Sequence, residues 1–242
     1  MMKNGLEFVE KIVSGSKIDL DTTRLSLENI RSSKSNNVFF REVFDGTELV
    51  VSNIFDLGII GKSVEESEIV TAPSYATVMN FEISNSISIQ NISIGHSPKQ
   101  GDCEGGVLSF SYCYNINLYN LVLYGCGTYG LELNSCANVK ISNTIIKECT
   151  YGILSILNCR NIAFENCIFE NNISHNIYIR NVQGLYFDNC IFRNNSRDFF
   201  SSEYMINAED AGYVFEFRNC EFDDIDKAIR PEDRDMITTT KM

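Results

Sequence analysis

Apolar and polar residues alternate in short runs along most of this chain. Ile116 and Leu118 flank a polar residue. The arrangement returns at Val139/Ile141, Ile162/Phe164 and Leu185/Phe187, each 23 residues after the last. A second alternating pair stands before each of these, at Leu108/Phe110, Leu131/Leu133, Leu154/Ile156 and Ile177/Ile179. A third short run comes after and ends at Leu123, Ile146, Phe169 and Phe192. Period two predicts strands with one buried face, where a helix would need a period of ~3.6. One such repeat cannot bury its apolar face alone, but stacked repeats can. The pattern predicts an all-β fold: a single-stranded right-handed parallel β-helix of about seven coils, three short strands per coil.

The repeat is visible in the letters themselves. CYNINLYN at 113–120 is followed by CANVKISN at 136–143, CRNIAFEN at 159–166 and VQGLYFDN at 182–189. SNSISIQN at 84–91 and GYVFEFRN at 212–219 match after steps of 29 and 30, so insertions fall near His96–Asp102 and Arg197–Tyr204. Leu49/Val51 and Leu57/Ile59 match the next coil after a step of 30. Leu6–Val13 reads as a short amphipathic helix that caps the N-terminal end, where unpaired backbone would invite end-to-end association. The expected organisation is a cap over 1–20, the β-helix over 21–222 and a charged C-terminal tail over 223–242.

The same period sorts all nine cysteines into three columns: Cys113/Cys136/Cys159, Cys103/Cys126/Cys149 and Cys167/Cys190/Cys220. No CxxC pair suggests zinc. Disulfides prefer Cα separations of ~5.5–6 Å, whereas stacked strands lie ~4.8 Å apart. The thiols are expected to be small buried groups filling tight corners, in a reducing, cytoplasmic setting. Asn91, Asn120, Asn143, Asn166, Asn189 and Asn219 form a further column, suited to left-handed turn positions.

With these residues in view, the chain resembles the pectin-lyase-like superfamily of right-handed β-helices, over roughly residues 45–222. More narrowly it is similar to bacterial β-helix repeat proteins with NCxIxxN coils, as in Asn166-Cys167-Ile168-Phe169-Glu170-Asn171-Asn172. The resemblance implies a fold shared by polysaccharide lyases, glycoside hydrolases, epimerases, phage tailspikes and many domains without assigned activity.

Charge narrows the choice of partners. The chain has 242 residues and a net charge of −12, the wrong sign for nucleic acid or anionic membranes. Glu7 and Glu10 stand where a secretory leader would need its apolar stretch. No cofactor, metal or catalytic residue is expected. Ser109, Glu132, Ser155 and Tyr178 occupy the outward positions of the first strands, and no carboxylate pair is evident there. The insertion HSPKQGDCEGG at 96–106 is the best candidate for binding, because loops on a rigid scaffold carry function. His96, Asp102 and Glu104 are expected near Tyr124, Tyr129 and Glu132, a set suited to sugar rings and hydroxyls.

A second surface stands out. Val122, Ile145, Ile168 and Ile191 should face outward on the third sheet, an apolar stripe suited to a protein partner or a second copy of the chain. Beside it, Lys147, Glu170 and Arg193 alternate in sign. These features suit two functions: a non-catalytic scaffold or interaction module, or a carbohydrate-binding or polysaccharide-cleaving protein acting near the 96–106 loop.

Overall fold

The computed structural model describes residues 5–15, 17–21, 23–27, 30, 35–97, 104–125, 127–196, 203–209 and 215–241. The chain winds as a parallel solenoid. First strands stack in one sheet: Gly46–Ser52, Met79–Glu82, Leu108–Ser111, Tyr129–Asn134, Gly152–Leu157, Ile177–Arg180 and Ile206–Glu209. Val38–Val43 runs antiparallel to Gly46–Ser52 and closes the N-terminal edge of that sheet. The second and third strands form one continuous 14-stranded sheet. The register is the one the spacing requires, with Ile116 over Val139, Ile162 and Leu185 in turn. The earlier step of 30 also holds, pairing Leu49 with Met79 and Leu57 with Ile87.

Two details differ from the sequence expectation. About five turns are regular, from Met79 to Arg193, slightly fewer than seven, because the windings at either end are irregular. In addition, Asn85–His96, Tyr114–Tyr124 and Phe215–Phe222 each supply the second and third positions as one bent strand. A single left-handed residue bends the chain there without interrupting the ladder on either side.

Those corner residues define the winding. Asn91, Asn120, Asn143, Asn166, Asn189 and Asn219 all have φ between 50 and 54°. Side-chain amides bond along the axis: Asn120 Nδ2 donates to Asn91 Oδ1 at 2.8 Å, and Asn189 Nδ2 to Asn166 Oδ1 at 2.6 Å. At the corner between first and second strands, Asn53, Ile83, Tyr112, Ser135, Asn158 and Asn181 take the same conformation.

A buried side chain comes after each corner residue, and here the cysteines belong. All seven among the described residues are buried, and Cys113, Cys136, Cys159, Cys167, Cys190 and Cys220 are free; Cys103 and Cys126 lie outside the described residues. They also do more than fill space. Cys136 Sγ donates to Asn134 O and Phe110 O, each at 3.4 Å, while Cys136 N donates to Cys159 Sγ at 3.3 Å. Ser84 and Thr144 serve the same role with hydroxyls, accepting from Ile54 N at 3.1 Å and Leu121 N at 3.4 Å. Backbone groups at the tight corners are thus satisfied by the side chains stacked above them.

The interior is one apolar cluster. Phe164, Phe187 and Phe217 stack face to face with centroids 4.8 and 4.9 Å apart, and Phe169, Phe192 and Phe222 do so at 4.6 and 4.7 Å. The helix Gly5–Val13 sets Phe8, Val9 and Ile12 into the same cluster. Its ends are compatible with the helix dipole, Glu7 in the first turn and Lys11 in the last. Lys17–Leu20 already pairs with Phe55–Gly61. At the other end, Ile225–Ala228 forms a short helix and Ile237–Lys241 pairs in parallel with Phe215–Phe222.

The outward columns of the third sheet are in register. Val122, Ile145, Ile168 and Ile191 stack and end at Glu221, each apolar member half-buried. Beside them Arg193 pairs with Glu170 at 2.6 Å, whereas Lys147 turns to its neighbour Glu148 at 3.4 Å. Among the described residues, no helix is long and apolar enough to cross a membrane.

Ile83 is a β-branched residue at φ 49°, 55% exposed, in a position that favours Asn or Gly. Ile83→Asn is expected to raise unfolding free energy by about 1 kcal/mol, and Asn166→Val to lower it by about 1–2 kcal/mol, the cost of left-handed backbone. Urea denaturation of both variants checks the opposite signs.

Candidate functional site

The register that stacks the core also stacks the outer face of the first sheet. Val50, Asn80, Ser109, Glu132, Ser155, Tyr178 and Asn207 form one file. Loops from the third corner lean over its N-terminal half. Glu104 N and Gly105 N both donate to Ser74 O at 2.7 Å, tying two of these loops together. Asp45, at the tip of the antiparallel hairpin, accepts from Ser74 N and, at 3.1 Å, from Tyr75 N. The result is a cluster of polar groups, most of them buried beneath these loops.

Glu132 lies at its centre. Burial pushes its carboxyl above the ordinary range, and the charge of Glu48 adds to the shift. Glu48 itself is 8% exposed; its side chain accepts from Thr77 N at 3.1 Å and lies 3.3 Å from Arg41 Nε. Arg41 also pairs with Glu82. Gly106 is the close neighbour of Glu132: a Cβ there would stand 2.9 Å from Glu132 Oε1 and 3.3 Å from Thr77 Oγ1. A side chain at Gly106 would push that carboxyl from its place.

His96 approaches the same glycine. Its Nε2 donates to Gly106 O at 2.9 Å, since a carbonyl can only accept. Burial depresses its pKa, an effect partly offset by Gly106 O and Asp45. The imidazole is therefore neutral with Nδ1 unprotonated, and that nitrogen has no hydrogen-bond partner among the described residues. Asn80 Nδ2, on the outer file, is a second buried atom without one. Each leaves a hydrogen bond unmet inside the protein.

Tyr129 fits between coils. Its ring occupies space that a Cβ at Gly152 would invade at 2.3 Å. Burial raises its phenol, with smaller contributions from Glu132 and Tyr178. Tyr178 OH donates to Glu209 at 2.6 Å further along the face.

Of the residues singled out from sequence, the structure gathers His96 and Glu132 around Gly106, with the Tyr129 ring one coil on, against Gly152. Tyr124 belongs elsewhere: it stands on the third strand, and its hydroxyl donates to Glu68, which pairs with Arg24 at 3.1 Å. Glu104 is exposed and contributes backbone. Asp102 lies outside the described residues. Asp45, Glu48 and Asn80 escaped notice. The step of 30 that aligns Leu49 with Met79 would have placed Asn80 in Glu132's file and Glu48 beside it.

The family model described as the right handed beta helix region matches residues 30–179 and, in an overlapping match, 69–239. The chain belongs to this β-helix family. Among solved structures, the chain is similar to an alginate lyase from Paenibacillus sp. str. FPU-7, with TM-score 0.56 and 9% identity over 91% of this chain and 74% of that one. It is also similar to a presumed glycosyl hydrolase from Parabacteroides merdae ATCC 43184, with TM-score 0.40 and 11% identity over 89% and 87% of the two chains. No curated protein matches. At such identity the likeness to the lyase shows the β-helix fold alone.

Because folding raises the pKa of Glu132, its ionisation favours the unfolded chain. Its contribution to stability is intact below the unfolded carboxyl pKa and is lost as pH rises through the folded one. Glu132→Gln does not titrate. Its stability relative to the parent is expected to grow from about pH 4 to about pH 8. Thermal unfolding across that interval gives the slope, and a flat or falling difference would contradict the assignment.

Proposed function

We propose that the outer face of the first sheet around Glu132 binds an uncharged glycan, with Glu132 as the group that holds a proton for it. The observation that carries this reading is the half-buried Glu132 carboxyl, raised beside Glu48 on that face. A protonated carboxyl donates to a sugar hydroxyl. Tyr129 and Tyr178 supply ring surface on the same face. Asp45, Glu48 and Glu82 crowd the region with carboxylates, so a polyuronate would be repelled.

Cleavage of that glycan is a second reading, favoured by the same raised carboxyl: a group that keeps its proton to higher pH is suited to protonating a leaving oxygen. The interaction-module reading draws on the third-sheet stripe. The free, buried thiols support a reducing compartment.

Calorimetry with neutral oligosaccharides selected on a glycan array tests the proposal. Glu132→Gln should keep affinity, because the amide still donates, whereas Glu132→Ala should lose about tenfold, the effect of one hydrogen bond. A reducing-end assay separates binding from cleavage, which Glu132→Gln would abolish. Equal affinity in the alanine variant, or silence of the parent towards every neutral glycan, would sink the idea.

A further inference from the structure

The first corner of the solenoid carries apolar side chains that the fold does not need. Ile83 and Tyr112 take left-handed backbone there, at φ 49 and 55°, where Asn53, Asn158 and Asn181 serve on other coils. Asparagine holds that conformation with less strain than a β-branched or aromatic residue. Burial does not offset the strain, because Ile83 is 55% and Tyr112 61% exposed. Phe55 and Tyr114, which follow the corner, are 56% and 45% exposed. The four side chains lie on three successive coils and form one apolar ridge along the axis. Exposed apolar groups kept together despite such strain mark a contact surface.

The ridge stops at Tyr114, and the same row then sinks. Phe55, Asn85, Tyr114, Ala137, Arg160 and Gln183 stack in register. Ala137 is the small member, and a groove of about 500 Å³ runs from Tyr114 past Ala137 to Arg160 and Gln183. Ridge and groove therefore lie end to end on one line. The charges follow the same layout. On a chain with net charge −12, the three columns of this corner, headed by Asn53, Phe55 and Asp56, hold one carboxylate, Asp56, and one guanidinium, Arg160. Both are exposed, and neither takes part in an ion pair among the described residues. Phe55 and Asp56 stand two coils before Tyr114, and Arg160 stands two coils after it.

We propose that this corner joins two copies of the chain, packed antiparallel about a twofold axis through Tyr114. Such a contact uses one patch twice and must be self-complementary. The coils two before and two after Tyr114 face one another, so Phe55 and Asp56 of each copy meet Arg160 of the other. The ring lies against the guanidinium, and the carboxylate pairs with it. Ile83 of each copy enters the groove of the other above Ala137, and the two Tyr114 rings meet on the axis. A second copy suits this face better than a strongly charged partner, because its only two charges are of opposite sign and symmetrically placed. The contact is narrow and ~24 Å long, five coil spacings, so a dimer of micromolar affinity is expected. It is independent of what the first-sheet face around Glu132 binds.

Sedimentation velocity of the full chain from about 1 to about 300 μM tests the proposal. The parent should pass from monomer to dimer within that range. Phe55→Ser and Tyr114→Ser should each weaken the dimer about tenfold or more, the effect of losing a central ring. Ile83→Asn should weaken it too while raising the unfolding midpoint of the monomer. Asp56→Arg and Arg160→Asp should each leave the chain monomeric over the range, because like charges then face each other twice. Mixing those two variants should give a 1:1 heterodimer, and the chain carrying both reversals should dimerise again. Misfolding cannot produce that rescue. Ile168→Ser, on the third sheet, should leave the dimer as it was. A parent that stays monomeric throughout leaves the ridge to some other partner and overturns the proposal. So does a dimer indifferent to Phe55→Ser and Tyr114→Ser, a pair of reversed variants that remains apart on mixing, or a dimer lost in Ile168→Ser.

Discussion

Left-handed backbone at single residues is the constraint on which this fold depends. A strand that must turn sharply inward, once per corner, cannot do so with ordinary β dihedrals. One residue at φ near +55° makes the turn, and side chains other than Asn and Gly pay for that conformation. Hence Asn occupies most of these positions, from Asn53 to Asn219. Stacking then sets the neighbours of each corner. A corner residue lies above its counterpart, so the amide of Asn120 meets that of Asn91 and the thiol of Cys159 meets the backbone of Cys136. Corner geometry, amide ladder and thiol column are consequences of one turn repeated in register.

The thiol columns show why a soft, small residue suits this place. Each must fit a narrow corner, accept a backbone N–H from one coil and donate towards carbonyls of another. Ser84, Thr144 and Asn172 meet the same demand with oxygen. The replacement of Cys by Ser, Thr and Asn, one in each of the three columns, argues for hydrogen bonding at the corner as well as packing. Thiol chemistry is not required, and burial raises Cys113 to about 11, away from a reactive thiolate.

Much of this was legible in the letters because a parallel solenoid converts sequence period directly into vertical contact. The pairing of Ile116 with Val139, the asparagine column and the burial of Cys136 all result from a step of 23. The bent strands through Asn91 and Asn120 were less legible, since alternation alone cannot tell a corner that keeps its ladder from one that breaks it. The candidate site was legible in part. Glu132 and Tyr129 sit on regular coils and could be placed. Asp45 comes from the turn of an antiparallel hairpin outside the period, and loop geometry brings it to the site, whereas Glu48 stands on the strand that the step of 30 aligns. Tyr124 misled because position in the coil does not reveal a partner: Glu68, on the third strand two coils earlier, captures its hydroxyl.

Regular stacking also imposes a limit on function. Identical coils give columns of like residues, and like carboxylates in a column would repel at ~4.8 Å. The outward file through Glu132 avoids this, since Ser109 below and Ser155 above are neutral. An acid in such a file is isolated from its own column, and its closest electrostatic partner has to come from beside it, as Glu48 does. Chemistry on this rod is therefore expected where an irregular segment crosses a regular face. Residues 72–78 and 104–106 do so over the first sheet, and Gly106 leaves room for the carboxyl they enclose.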